Sequence, residues 1–150
     1  MKRFVFTYLV IVALAACTFT QTTDLDRNRQ TWQGAGITHY RYSLFISCFC
    51  AFTQRMPLSI EVRDGEVVSI AYSDGGALVP TDPNFENFSQ YATIDRVFAE
   101  LETDLNGEAD QVTVTYDPTY GYPAEIQIDF VKNAADDELS LAVSNLEVLQ

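Results

Sequence analysis

Apolar and polar residues alternate over one long stretch of the chain, Ile37 to Phe52. The apolar side chains recur at every second position, at Tyr40, Tyr42, Leu44, Ile46, Cys48, Cys50 and Phe52. Because successive side chains of a β-strand point to opposite faces, this pattern predicts one long strand with a continuous buried face. We expect the other elements to pack around this strand.

The segment Pro57–Tyr72 has the pattern of a β-hairpin. Two apolar runs flank Asp64-Gly65, a pair typical of a two-residue type I′ turn, in which both residues need positive φ. That turn sets Val62 opposite Val67. The same register sends three apolar residues to the opposite face, namely Val68, Ile70 and Tyr72. The hairpin is therefore predicted to be apolar on both faces, and something should cover the second one.

Two segments follow the helical period instead. A short helix is predicted over Asp24–Gln33, with Leu25, Arg29 and Trp32 on one side. The main helix is predicted over Tyr91–Leu105, because its apolar residues recur at helical spacing, at Ile94, Val97, Phe98, Leu101 and Leu105. The glycine- and proline-containing segment between the hairpin and this helix, Ser73–Phe88, is predicted to be a packed loop.

Three more strands are predicted, at Val112–Tyr116, Ala124–Lys132 and Leu139–Leu149. A bulge near Ser144-Asn145 is expected in the last strand, because its apolar positions change parity there. The acidic residues before it, Asp136 to Glu138, are predicted to form a solvated turn. Hairpins without β-α-β alternation indicate the α+β class: an antiparallel sheet of five or six strands with one main helix packed on one face, plus a short N-terminal helix.

The N-terminus has the pattern of an export signal. Lys2 and Arg3 precede an uncharged apolar run, and Leu14-Ala15-Ala16-Cys17 resembles the bacterial lipobox. The resemblance implies that Cys17 becomes the lipidated first residue. We therefore expect a signal peptide at residues 1–16, a tether at 17–23 and a single α+β domain at 24–150. The expected location is the bacterial cell envelope, and in a Gram-negative host the outer membrane facing the periplasm.

The charge of the chain limits its partners. Loss of the signal removes Lys2 and Arg3 and leaves seven basic residues against 21 acidic ones, so the net charge of the mature chain is −14. Such a surface repels nucleic acid and anionic lipid headgroups. The predicted contact with the membrane is therefore the lipid on Cys17.

The sharpest motif is Cys48-Phe49-Cys50. Residues two apart on a strand point the same way with Cα atoms about 6.6 Å apart, at the edge of what a disulfide tolerates. A disulfide therefore requires the strand to bend. Two alternatives remain open: buried thiols without a function, and a thiol redox or soft-metal (copper) function that recruits Met56. In an unbroken strand His39 faces away from the cysteines, which argues against a copper site.

A second motif is the tyrosine-rich turn Tyr116–Pro123. It is either an aromatic binding surface or a rigid turn packed on the sheet edge. Its candidate binding residues are Tyr116, Asp117, Tyr120 and Tyr122. The chain shows no phosphate loop, zinc spacing or catalytic set, and it has one histidine. These features predict a protein that is not an enzyme and needs no cofactor.

The motifs together resemble an uncharacterised bacterial lipoprotein family called domain of unknown function 6174. The resemblance runs from Trp32 to Leu149 and includes Tyr40-Arg41-Tyr42, the cysteine pair, Glu61 to Val67 and the tyrosine-rich turn. It implies one envelope domain and supplies no activity or ligand. We expect non-enzymatic binding of an envelope protein or a small ligand, through the uncovered sheet face or the tyrosine-rich turn. The alternative is redox or copper chemistry at Cys48 and Cys50.

Overall fold

The computed structural model describes residues 23–50, 53–132, 134 and 136–150. The predicted signal peptide, Cys17, Phe52 and all of the tether except Thr23 lie outside these residues. The chain order of the elements is α1 (residues 23–34), β1 (His39–Ser47), a 3₁₀ turn (Thr53–Arg55), β2 (Leu58–Arg63), β3 (Glu66–Ala71), α2 (Phe85–Ser89), α3 (Ile94–Asn106), β4 (Gln111–Tyr116), β5 (Pro123–Asp129) and β6 (Glu138–Val148).

The six strands form one antiparallel sheet in the order β3-β2-β1-β6-β5-β4. The predicted α+β class is confirmed, with α3 as the main helix and α1 as the short N-terminal one. β1 lies in the middle of the sheet between β2 and β6, as expected, although it ends at Ser47 rather than Phe52. The five-residue helix α2 lies at the end of the segment predicted as a loop.

One face of the sheet is covered by helices, and β1 contacts the start of the main helix. The four inward residues of β1 are at most 2% exposed, namely Tyr40, Tyr42, Leu44 and Ile46. The Tyr42 hydroxyl donates a hydrogen bond to the carbonyl of Tyr91 at 2.6 Å. The N-cap of α3 is Thr93, whose side chain accepts a hydrogen bond from the N–H of Arg96 at 3.1 Å. Since the first N–H groups of a helix lack partners within it, the Tyr40 hydroxyl satisfies a second one by accepting from the N–H of Ile94 at 3.1 Å.

The N-terminal helix α1 packs on the same layer. Its Trp32 ring lies edge-on to Tyr40 with centroids 5.2 Å apart. Arg29 joins α1 to α3 through a 2.8 Å hydrogen bond to Glu102 and a 3.0 Å hydrogen bond to the carbonyl of Phe98. The predicted inward side of this helix is confirmed for Leu25 and Trp32, which are both buried.

The hairpin of β2 and β3 departs from its predicted register. Asp64 and Gly65 both have positive φ, and Val62 lies opposite Val67 as predicted. Beyond that pair the register shifts, and Val68 opposes no residue of β2. One extra residue inverts every later side chain, so a bulge changes which face each residue occupies.

The prediction of a hairpin that is apolar on both faces is therefore wrong. Ile70 and Tyr72 turn towards the covered face and are 5% and 3% exposed, whereas Val68 remains 53% exposed. Burying a side chain of this size contributes about 1.5–3 kcal/mol, which favours the bulged register. The expectation of a partner over this second face of the hairpin loses its basis.

The bulge predicted in β6 is confirmed. Arg41 pairs with Glu147 and Ser43 pairs with Ser144, and Asn145 between them has a positive φ. The second face of the sheet is exposed and mainly polar, and its side chains include Arg41, Phe45, Ser59, Arg63, Thr113 and Gln127.

Candidate functional site

The chain bends directly after β1 ends. The backbone N–H of Cys50 donates to the carbonyl of Cys48 at 2.7 Å, which closes a three-residue turn. The sulfurs of these cysteines form a disulfide, and their Cα atoms are 5.1 Å apart. The bend shortens this distance from the about 6.6 Å of an extended strand. The prediction that the strand continues through Cys50 is therefore wrong. We call Cys48–Cys50 the disulfide turn.

The disulfide turn exposes an aromatic side chain. Phe49, between the two cysteines, is 83% exposed. Phe130 directly follows β5 and is 41% exposed. The sequence placed Phe130 in line with the inward residues Ile126 and Ile128, but β5 ends at Asp129 and the ring lies at the surface. Both rings border the same depression.

That depression is a cleft of ≈ 330 Å³, which we call the disulfide cleft. It lies between the disulfide turn, the C-terminal end of α2 and the connection from β5 to β6. Its most buried lining residues are Ile46 and Tyr91. The other described residues of the lining are Cys48, Phe49, Cys50, Asn87, Gln90, Phe130, Asp136, Asp137, Glu138 and Leu139.

The cleft is acidic on one side. Asp136, Asp137 and Glu138 line it, and no lysine, arginine or histidine among the described residues does. One oxygen of Asp137, Oδ2, accepts a 2.6 Å hydrogen bond from the backbone N–H of Val131. The other, Oδ1, is buried and has no hydrogen-bond partner among the described residues. Buried polar atoms are nearly always paired, so an unpaired carboxylate oxygen is unusual here.

Two backbone hydrogen bonds, one at its carbonyl and one at its N–H, hold Tyr91 below the cleft. Its carbonyl accepts from the Tyr42 hydroxyl, and its N–H donates to the carbonyl of Phe88 at 3.0 Å. Burial raises the pKa of Tyr91 to about 12, and the charges of Asp104 and Glu100 act in the same direction. The phenol is therefore protonated and neutral at physiological pH.

The tyrosine-rich turn lies at the opposite end of the sheet and is closed by its own backbone. Asp117 Oδ1 accepts hydrogen bonds from the N–H groups of Thr119 and Tyr120 at 2.9 and 2.7 Å. The N–H of Asp117 donates to the carbonyl of Tyr122, and the N–H of Gly121 donates to the carbonyl of Asp117. Asp117 thus organises the turn.

This turn packs against α1. Tyr122 is 7% exposed, and its ring lies edge-on to Trp32 with centroids 6.3 Å apart. Gly121 has φ +77, and a Cβ built on it would lie 2.6 Å from the carbonyl oxygen of Asn28. Tyr116 is half-buried, and burial raises its pKa to about 12. Of the four candidate binding residues, Tyr122 is buried and Tyr116, Asp117 and Tyr120 are half-buried. The turn therefore offers little free aromatic surface.

The residues considered for copper have different surroundings, and the two cysteines among them are bonded to each other. Met56 is 7% exposed and belongs to the core. His39 begins β1, at the opposite end of the strand from the cysteines, and its Nε2 lies 3.2 Å from Glu61. In the part of the chain that the structure describes, no three His, Cys, Asp or Glu side chains are grouped so that they could hold a metal ion.

A second groove of ≈ 470 Å³ follows the edge strand β3 and is lined by residues that include Val68, Leu78 and Phe85. The chain itself closes part of this edge, because the N–H of Leu78 donates to the carbonyl of Ile70 at 2.9 Å. Among the described residues, this lining includes neither a strongly exposed aromatic ring nor a buried polar side-chain atom without a partner. The disulfide cleft is therefore the better candidate site.

Sequence reasoning identified one wall of this cleft. The Cys48-Phe49-Cys50 motif was a signal for the disulfide turn. Nothing in the sequence joined it to Phe130 or to the acidic residues, which are about 80 positions further along the chain. Antiparallel pairing brings them together, because Ser47 lies opposite Ser140 and Asp129 lies opposite Glu138.

A family model described as a family of unknown function (DUF6174) matches residues 24–148. The match covers most of the chain and confirms the resemblance drawn from the motifs. No curated protein and no solved structure matches the chain. Within the described ranges, none of the helices combines the length and the apolar character needed to cross a membrane.

Proposed function

We propose that this chain, which belongs to the family of unknown function DUF6174, is a lipid-anchored envelope protein that binds a small ligand in the disulfide cleft. In this proposal the lipid on Cys17 holds the domain outside a bacterial membrane, facing the periplasm if the host is Gram-negative. The lipobox-like tetrapeptide before Cys17 supports the anchor. The surplus of acidic residues supports attachment by acyl chains rather than by a basic surface.

The observation that carries the binding proposal is the 83% exposure of Phe49 at the border of the cleft. The flanking cysteines are bonded to each other, so the turn holds this ring at the surface rather than letting it fold into the core. Small-ligand sites are concave, largely apolar and furnished with a few polar groups, and their volumes begin at about 300 Å³. The disulfide cleft has these properties.

The lining favours binding over turnover. Its polar groups are three carboxylates, the amides of Asn87 and Gln90 and a protonated tyrosine, and its cysteines are bonded to each other. Nucleophilic catalysis needs a nucleophile within hydrogen-bond reach of a base that activates it. The lining does not bring such a pair together, so we propose a non-enzymatic role.

Titration calorimetry on the full chain in lipid nanodiscs tests the binding proposal, with empty nanodiscs as the blank. A panel of small aromatic compounds is added to the unmodified chain and to two variants. Phe49→Ala removes the exposed ring at the cleft, and Val68→Ala removes an exposed apolar side chain at the other groove. We expect Phe49→Ala to weaken binding severalfold and Val68→Ala to leave it unchanged. Binding that is insensitive to Phe49→Ala would contradict the assignment to this cleft.

The anchor is tested separately by cell fractionation and mass spectrometry. The unmodified chain should remain with the membrane fraction and carry acyl chains on Cys17. The Cys17→Ser variant should lack the acyl mass and be released from the membrane. A variant that stays membrane-bound would show that another contact holds the protein.

The second candidate function is thiol redox or copper chemistry at Cys48 and Cys50. It is favoured by the position of both half-buried cysteines in the lining of an open cleft, where a reductant can reach them. It is disfavoured by the three carboxylates, which repel an approaching thiolate. Thiol titration and metal analysis of the reduced chain decide it. A pair that resists cellular dithiols and takes up no copper would remove this candidate.

A further inference from the structure

We infer that the ligand of the disulfide cleft carries a cationic group, an ammonium or guanidinium, on a compact apolar or aromatic body. This inference rests on the proposed binding function and specifies the ligand class. It joins two features of the cleft, the acidic residues of the connection from β5 to β6 and the exposed rings of Phe49 and Phe130.

The acidic side favours a cation. Asp136, Asp137 and Glu138 are consecutive, and among the described residues the cleft lining contains no basic side chain to neutralise them. Like charges repel each other, and a bound cation would offset that repulsion. An ammonium or guanidinium group supplies the positive charge, and its N–H groups can donate to carboxylate oxygens.

The aromatic side favours the same class of ligand. The face of an aromatic ring attracts a cation held within about 6 Å of its centroid. Phe49 and Phe130 border the cleft and are exposed, and the neutral ring of Tyr91 also lines it. The same rings offer an apolar surface to the body of the ligand. A cleft lined by both carboxylates and aromatic rings therefore suits an apolar cation better than it suits a sugar or a phosphate.

Other ligand classes fit less well. The three carboxylates would repel an anion. A neutral apolar compound would leave the three carboxylates without a counter-charge. A divalent metal ion is also disfavoured, because the described residues contain no group of three or more His, Cys, Asp or Glu arranged to hold one. The organic cation is the class that uses both sides of the cleft.

Three probes with the same phenylethyl body and different charges test this inference. They are 2-phenylethylammonium, 2-phenylethanol and 3-phenylpropionate, each titrated by calorimetry into the full chain in nanodiscs of neutral lipid. We expect the ammonium compound to bind most tightly and 3-phenylpropionate most weakly. The advantage of the ammonium compound over the alcohol should shrink as salt is raised from about 10 mM to 1 M, because salt screens exposed charges.

Single neutralising variants identify the charges involved. Asp136→Asn, Asp137→Asn and Glu138→Gln should each weaken binding of the ammonium compound by about two- to fivefold, the range typical of exposed ion pairs. Binding of 2-phenylethanol should not change. Glu108→Gln is the matched control, because it removes one negative charge from an exposed residue outside the cleft lining. It should leave the affinity for the ammonium compound unchanged.

The outcomes separate this inference from the proposed function. If all three probes bind equally, or if the alcohol or the propionate binds best, the cationic ligand class is overturned while small-ligand binding stands. The inference is also overturned if Glu108→Gln weakens binding of the ammonium compound as much as the cleft variants do, because the loss of affinity then reflects the overall charge of the protein. If none of the probes binds, the proposed function fails and this inference fails with it.

Discussion

The disulfide turn and the tyrosine-rich turn lie at opposite ends of the same sheet, and both present aromatic residues on a tight backbone reversal. Phe49 in the first is 83% exposed, whereas Tyr122 in the second is 7% exposed. Each turn is closed by local hydrogen bonds. Aromatic content and local rigidity are therefore shared by both turns.

The difference comes from the element that lies next to each turn. Helix α1 places Trp32 and Asn28 against the tyrosine-rich turn. At the other end, no described element covers Phe49, and the neighbouring connection contributes carboxylates to the cleft. An aromatic turn becomes packed structure when an apolar helix face is available to it. It remains a candidate binding surface when its neighbours are polar.

The largest expected difference is between alanine variants of the two aromatic residues. Tyr122→Ala should lower the free energy of unfolding by about 3–5 kcal/mol, because it opens a cavity beside Trp32. Phe49→Ala should change it by less than about 0.5 kcal/mol, because the ring is exposed. Chemical denaturation of both variants measures the effects. Equal losses would contradict the contrast between a packed turn and an open one.

The second comparison uses glycine. Gly121→Ala should lower the free energy of unfolding by about 3 kcal/mol. Alanine disfavours a φ of +77°, and its Cβ would collide with the Asn28 carbonyl of α1. Gly75→Ala is the control, since Gly75 has a similar φ of +83 and open space around it. Gly75→Ala should lower the free energy of unfolding by only about 1 kcal/mol. A cost for Gly121→Ala no larger than the control would show that α1 does not press on the turn.

The third comparison removes one buried hydroxyl near each turn. Tyr42→Phe should lower the free energy of unfolding by about 2 kcal/mol. It removes the hydroxyl that donates a 2.6 Å hydrogen bond to the Tyr91 carbonyl beneath the cleft. Tyr116→Phe should be neutral or slightly stabilising, because the Tyr116 hydroxyl is buried and has no hydrogen-bond partner among residues 23–50, 53–132, 134 and 136–150. Thermal unfolding of the two variants tests this order, and the reverse order would contradict it.

Removal of the disulfide should cost less stability than Tyr122→Ala, Gly121→Ala or Tyr42→Phe. A ring closed by residues two apart constrains the unfolded chain little, so the double variant Cys48→Ser with Cys50→Ser should lose only about 1.5 kcal/mol. Its ligand affinity should fall more clearly, because Phe49 is no longer fixed. An unchanged affinity would mean that the disulfide does not organise the cleft.

Several parts of the fold could be predicted from local patterns. The alternation in β1, the helical period from Ile94 to Leu101 and the positive-φ turn at Asp64-Gly65 each depend on neighbouring residues alone. The bulge in β6 was predicted because its apolar residues change parity. The bulge at Val68 was missed, because the two-residue turn set a regular register and Val68 and Ile70 are both apolar. Only the packing of Ile70 and Tyr72 under the helices distinguished the two registers.

The fold class, the main elements and the two turns that differ from ordinary loops can be read from the amino-acid sequence, because they follow from residue spacing and backbone preference. The family can be read in the same way, through motifs distributed along the chain. Which turn is covered and which is open becomes visible only in the folded chain, where Phe130 and the acidic connection lie beside Phe49. Burial depends on contacts between segments far apart in the chain, and antiparallel pairing and helix docking establish these contacts only on folding.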